Sequence, residues 1–161
     1  MSRSRAIVVL LSVAWPLNVF ADAGSFTKSK DDGVYAYYTG QVTVTGRFHQ
    51  ELENEFIDGL CFTADERSGK KIPREPGDER KPWFCFSNQR KAMTALGVPR
   101  RPRNGLCGFD GKATLVISTY RLDRRETETA DGAILERVVK STPAVAHKCP
   151  WPPPPPHYLS R

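Results

Sequence analysis

Residues 34–48, VYAYYTGQVTVTGRF, set the first limit on the fold. Val42, Val44 and Phe48 fall on one side of the run, and Thr43, Thr45 and Arg47 on the other, which is the period of two of a half-buried strand. Gly40 and Gly46 interrupt it. A glycine inside a strand marks a bulge or a tight bend, so the run is expected to form one long, strongly coiled strand. Shorter β-rich runs follow at 60–65 (LCFTAD), 82–86 (PWFCF) and 112–122 (KATLVISTYRL), the last being the richest in β-branched residues. Residues 133–140 (AILERVVK) read as a fifth strand by alternation, although Ile134 and Val138 also stand at helical spacing. One helix is expected between the third and fourth strands. Ser87 can cap it, Ala92, Met93 and Leu96 form its apolar side, Gly97 ends it, and Pro99 forbids continuation. The segments 49–59, 66–81, 98–111 and 123–132 read as loops, with Asp110-Gly111 as a turn into the fourth strand.

The order strand, strand, strand, helix, strand, strand, with a long glycine-bent first strand, resembles the OB-fold, a small five-stranded Greek-key barrel. The expected class is therefore mainly β, an OB-fold-like barrel with one helix between strands three and four. The alternative is a small open α+β sheet built from the same elements. Neither architecture names a function.

The chain has 161 residues, enough for one domain. Residues 1–21 read as a signal peptide: Arg3 and Arg5 precede an apolar stretch, and Val19 and Ala21 stand at the −3 and −1 positions before Asp22. The apolar run ends at Trp15-Pro16, short of the roughly 20 residues a span needs, so no transmembrane segment is expected in the mature protein. Its removal takes two arginines and no acid, which lowers the formal charge from +6 to +4. Residues 22–33 are polar and read as a flexible leader, 34–149 as one disulfide-bonded β domain, and 150–161 as a proline-rich tail. The five prolines at 152–156 impose polyproline II geometry and can present Trp151 and Tyr158 for docking. The expected location is the periplasm or the exterior.

Cys61, Cys85, Cys107 and Cys149 all lie in the mature part. An even count in an oxidising compartment reads as two disulfides. There is no C-x-x-C and no H-x-x-x-H, and His147-Lys148-Cys149 is the one close His/Cys pair, so neither a metal nor another cofactor is expected. Of the three possible connectivities, alternation favours one. Cys61 and Cys85 each stand between apolar neighbours, so a hairpin of the second and third strands would place both thiols opposite each other on its outer face. Cys107 then pairs with Cys149.

Catalytic signatures are sparse. G-x-S-x-G and G-x-G-x-x-G are absent, and residues 108–113 lack the spacing of a phosphate loop. His49 is the one histidine inside the domain, because His147 and His157 lie in or beside the tail. Carboxylates crowd the loop after the first strand, where Glu51, Glu53, Glu55 and Asp58 give a formal charge of −4. Calcium spacing is missing from it. The loop 123–132 adds Asp123, Glu126, Glu128 and Asp131 against Arg124 and Arg125, or −2. Arg90, Lys91, Arg100, Arg101 and Arg103 gather on or after the helix without an intervening acid. An electrically two-faced molecule is expected. A basic protein or peptide would meet the acidic loops, and an anionic envelope surface would meet the helix-side arginines. Nucleic acid is a poor partner, since the aromatic residues are not interleaved with those arginines. The expected function is that of a small, exported, non-catalytic binding module of the bacterial envelope. The alternatives are an inhibitor or immunity-type protein that binds a basic secreted enzyme, and an unrecognised hydrolase.

Overall fold

The strand-rich reading is realised in the computed structural model, which describes residues 24–52, 59–101, 105–125 and 130–149. Nine elements follow one another: β1 (Thr27–Asp31), β2 (Tyr35–Glu51), β3 (Leu60–Ala64), α1 (Glu66–Gly69), β4 (Trp83–Phe86), α2 (Gln89–Leu96), β5 (Leu106–Asp123), β6 (Asp131–Ser141) and β7 (Val145–Lys148). The protein is mainly β, and its strands form one seven-stranded sheet ordered β1-β2-β3-β4-β6-β5-β7. β2 also pairs with β5, so the pairings of the five inner strands return to their start. All are antiparallel except β4 with β6.

The two glycines of β2 have separate tasks. Gly40 has φ +117°, and the β2–β5 register slips between Tyr38 and Gln41 around it. A side chain there would be strained in that backbone region. Gly46 is where β2 begins to pair with β3 while still paired with β5. A Cβ at this position would overlap the Thr63 carbonyl oxygen, so the absence of a side chain permits the close approach.

One face of the strands fills the core. Phe48, Phe62, Phe84, Phe86, Leu115, Ile117, Tyr120 and Leu135 are all buried. The Phe84 ring lies 5.5 Å from Phe62, 5.6 Å from Phe86 and 6.0 Å from Tyr120, measured between centroids. Burying each such side chain contributes about 1.5–3 kcal/mol. α2 adds Ala92 and Leu96 to this core.

Helix α2 starts and stops for different reasons. Gly97 ends it at φ +69°, as expected, and the Val98 N–H closes the last turn on the Met93 carbonyl. Ser87 is not the cap. Asn88 holds that position, and its amide bonds the Leu135 N–H (3.0 Å) and carbonyl (2.9 Å) instead of capping. Gln89 does the same to the Leu60 N–H at 2.7 Å and carbonyl at 3.3 Å. Two consecutive amides thus stitch the helix start to β6 and β3.

Four further expectations are corrected. Residues 27–31, read within a flexible leader, form β1 along β2; the strand is exposed throughout, so no apolar alternation announces it. The segment 66–81 contains α1, capped by Asp65, whose carboxylate accepts from Ser68 N–H at 2.7 Å. β5 begins at Leu106, so Asp110-Gly111 is no turn but pairs with His49 and Phe48 of β2. His147, read beside the tail, sits in β7 along the first part of β5.

The disulfides are Cys61–Cys85 and Cys107–Cys149. Cys61 stands directly opposite Cys85 in the β3–β4 register, with Cα atoms 3.9 Å apart. The hairpin argument holds in its pairing. The face it points to is covered, however, since Cys61 is fully buried.

Candidate functional site

The segment from α1 to Pro82 is charged and crosses the sheet as a strap. Its start is fixed on β2: the Thr45 N–H donates to the Ser68 hydroxyl at 2.8 Å, and the Asp65 N–H to the Thr45 carbonyl at 2.9 Å. Ile72 then turns into the core, with 4% of its surface exposed. Two residues later Arg74 reaches Asp131 at the start of β6. The Asp131 carboxylate also accepts from the Tyr120 hydroxyl (2.6 Å) and the Asp123 N–H (2.8 Å). A buried acid with three donors is fully used, as a buried charge must be.

Clefts lie on both sides of the strap. One, of about 640 Å³, separates residues 69–74 from residues 24–26 and has Phe26, Tyr38, Val42 and Ile72 along its lining. The other, of about 650 Å³, lies toward β3 and is bordered by Thr63, Asp65, Arg80 and Lys81. Lys70 and Arg74 belong to both. These volumes are within the usual range of small-molecule sites.

Ion pairs surround the clefts. Arg80 grips Asp78 through two bonds of 2.9 and 2.8 Å, and the guanidinium draws that carboxyl down to about 2. Arg124 bridges Asp31 and Glu75 at 2.5 and 2.6 Å, and the same guanidinium holds the Asp31 carboxyl well below the usual carboxylate range. Asp123 is buried and paired with Arg125 at 2.6 Å. Burial opposes the charge on Arg74, but the oxygens of Tyr120 and Asp131 outweigh it and raise its pKa. Burial, reinforced by the Asp131 charge, raises the Tyr120 phenol well above its ordinary value.

The residues singled out in the sequence are distributed differently from the expectation. Asp123 and Asp131, counted as surface acids, are buried and paired, so they add no negative face. Glu51 is exposed at the end of β2. Glu53, Glu55, Asp58, Glu126, Glu128, Arg103, the signal peptide and the proline tail lie outside the described residues. The two acidic loops adjoin opposite ends of the β2–β5 ladder, because Glu51 pairs with Gly108 and Tyr35 with Asp123. Arg90, Lys91 and Arg100 do come together, lining a groove of about 490 Å³ along α2. There Lys91 faces Glu136 at 3.7 Å and Arg100 donates to the Thr94 hydroxyl at 3.3 Å, while Arg101 is exposed.

His49 and His147 converge on one carboxylate. Asp110 is the cross-strand partner of His49 and lies 2.5 Å from His147 Nε2, with Arg47 at 3.9 Å. Burial lowers the pKa of His49. Among the described residues neither histidine is hydrogen-bonded to a hydroxyl or thiol, and no group of three His, Cys, Asp or Glu is placed to hold a metal.

Sequence reasoning missed Lys70, Arg74 and Tyr120, and took Asp131 for a surface acid. Arg74 and Asp131 are 57 residues apart, and no local pattern joins them. The available signal was Ile72, an isolated apolar residue in a charged loop. No helix among the described residues is long and apolar enough to cross a membrane. The comparisons with known proteins are negative: no family model, no curated protein and no solved structure matches the chain.

Proposed function

We propose that the protein is an exported, non-catalytic binding module of the bacterial envelope, built as an OB-type barrel. The ring of pairings through β2, β3, β4, β6 and β5 supports the barrel, as do its single parallel step and the position of α2 between the third and fourth ring strands. The leader and the two disulfides favour an oxidising compartment. The observation that carries the binding reading is the pair of clefts beside the 69–74 strap, held from within by the Arg74–Asp131 pair.

The test is a thermal screen of the mature chain against fractionated envelope components. A ligand that binds the folded state raises the midpoint. The expected result is at least one such component, acting equally on the His49→Ala variant. Loss of the effect in that variant together with ester or peptide turnover by the parent would favour the hydrolase. Export is checked by N-terminal sequencing of the periplasmic fraction, which should start at Asp22; an intact Met1 on a membrane-bound product would refute it.

A second contact rests on Glu51, which is exposed where β2 leads into the acidic loop. A basic protein or peptide is the partner this charge suits, with the inhibitor or immunity-type role as its biological form. Binding there should weaken from low to physiological salt and fall in a Glu51→Gln, Glu53→Gln, Glu55→Gln variant.

A further inference from the structure

The cleft between residues 24–26 and the strap joins a cationic rim to an apolar floor. Three lining residues are cationic (Lys70, Lys71 and Arg74) and none carries a carboxylate. Four others are apolar and belong to the core or pack on it: Val42 and Ile72 are buried, and Phe26 and Tyr38 are partly buried beside Tyr120, with ring centroids 5.6 and 6.5 Å away. An apolar floor next to a cationic rim suits one kind of small molecule, an apolar chain that ends in an anion. Lys70 is exposed and can meet the head group. Arg74 also lines the cleft and adds its guanidinium charge to the rim, held by Asp131.

We infer that this cleft takes a single-chain amphiphile with an anionic head, of the fatty-carboxylate type. The inference rests on the binding-module reading and names the ligand class of that site. The chain lies against Phe26, Tyr38, Val42 and Ile72, and the carboxylate lies toward Lys70 and Arg74. Two rivals fit less well, one by charge and one by shape. A cationic amphiphile is repelled by the rim, and a nucleic-acid strand lacks the apolar chain that the floor would cover.

Titration calorimetry of the mature, disulfide-bonded protein decides it. The probes are octanoate, decanoate and laurate below their micelle concentrations, with decanol and decyltrimethylammonium as controls. Full burial of a methylene is worth about fourfold in affinity, so two should bring roughly fifteenfold when fully covered and less when partly covered. Affinity should therefore climb steeply from octanoate to laurate, at one ligand per chain. Decanoate should bind about fivefold tighter than decanol, the reach of an exposed charge contact. Decyltrimethylammonium should not bind.

Lys70→Glu should weaken decanoate by about fivefold to tenfold and leave decanol unchanged. Ser25→Trp, at an exposed position on the cleft margin, should abolish binding with an unaltered melting temperature. Equal binding of all three head groups, laurate binding that survives Ser25→Trp, or no laurate binding at millimolar concentration overturns the inference. So does displacement of laurate by a peptide of residues 1–21, which would make the leader the occupant. Failure of the laurate series alongside a positive envelope screen sinks this inference alone; failure of both removes the binding-module reading as well.

Discussion

The two ends of the β2–β5 ladder are held by different forces. At the Leu106 end the tie is covalent: Cys107 bonds Cys149 just past β7, and Cys61–Cys85 lies beside His49 in the neighbouring strands. At the Asp123 end none of the four cysteines takes part. There Asp131 gathers Arg74, Tyr120 and the Asp123 backbone, Arg124 bridges Asp31 and Glu75, and the guanidiniums of Arg121 and Arg125 lie over the Tyr35 ring at 4.7 and 5.3 Å. The first end depends on redox state and, through His49 alone, slightly on pH. The second depends on ionisation and is indifferent to reductant. The clefts beside the strap belong to the second end, so occupancy there should follow the ionic ties and not the disulfides.

The largest effect is expected at Asp131. Asp131→Ala leaves the half-buried Arg74 without its acid and the buried Tyr120 hydroxyl without its acceptor. Breaking a buried pair in this way costs about 3–5 kcal/mol. Adding Arg74→Met removes the stranded charge and should recover at least half of the loss. Urea unfolding of the single and double variants measures this, and a single-variant loss below about 1 kcal/mol would mean that Asp131 is no anchor.

The disulfides come next. Removing Cys107 and Cys149 together frees a sequence separation of 42 residues, and removing Cys61 and Cys85 frees one of 24. Each bridge is typically worth about 2–4 kcal/mol, with the longer loop losing more. If the comparison of the two ends is sound, the Cys107→Ala, Cys149→Ala variant keeps full affinity for whatever occupies the clefts. A parallel loss of affinity would show that the ends are coupled.

Which parts were legible in the sequence follows from where each signal lies. β2 alternates polar and apolar residues and β4 alternates buried Phe84 and Phe86 with half-buried Trp83 and Cys85, because one face meets the core, and the Cys61–Cys85 pairing was readable from that same alternation. β1 and β7 are exposed strands without an apolar face, and their pairing is a backbone matter to which side chains bear no witness. The first half of β5 was hidden by Gly108, Asp110 and Gly111, which read as turn residues. In the structure Gly111 leaves room for the Phe48 ring. The site was the least legible part. Its charges read as a solvated loop, and what orders them is contact between segments far apart in the chain.

Acid should lower stability in two steps, one from each end: the carboxylates of the ionic end and His49 beside Cys61 at the disulfide end. The Asp78 carboxyl is drawn to about 2 by Arg80, from an ordinary value of 3.8, and those of Asp31 and Asp32 are also lowered. A lowered carboxylate stabilises the fold fully above the unfolded value, and this is lost as pH falls through the folded one. His49 acts in the same direction for the opposite reason. Its neutral form is favoured by burial, so stability is fully present above about 6.5 and declines below it until the folded value is passed. Stability followed by fluorescence should therefore drop slightly below pH 6.5 and more steeply between about 4 and 2. His49→Gln should remove the first step alone, whereas reductant, which removes bridges worth about 2–4 kcal/mol each, should lower stability across the whole pH range. A first step that persists in His49→Gln would assign it to another group.

The smallest effect tests how the ionic end receives its tyrosine. Thr119 is the one non-glycine residue with positive φ among the described residues, at +48°, and it is exposed. It lies where the β5 register slips against both β2 and β6, next to Tyr120. A β-branched residue is a poor fit to this backbone region, and such strain costs on the order of 1–3 kcal/mol. The irregularity opposite Gly40 lets Tyr120 point inward, so that its hydroxyl meets Asp131. The strain is thus tied to the hub of the ionic end, with no counterpart at the disulfide end. Thr119→Gly relieves it but gains freedom in the unfolded chain, which offsets about 0.5–1 kcal/mol. The net expectation is a stabilisation of about 1 kcal/mol or less. A destabilised Thr119→Gly protein would show that the threonine side chain holds the irregularity in place, and that the end of the ladder is set by this residue and not by the buried acid.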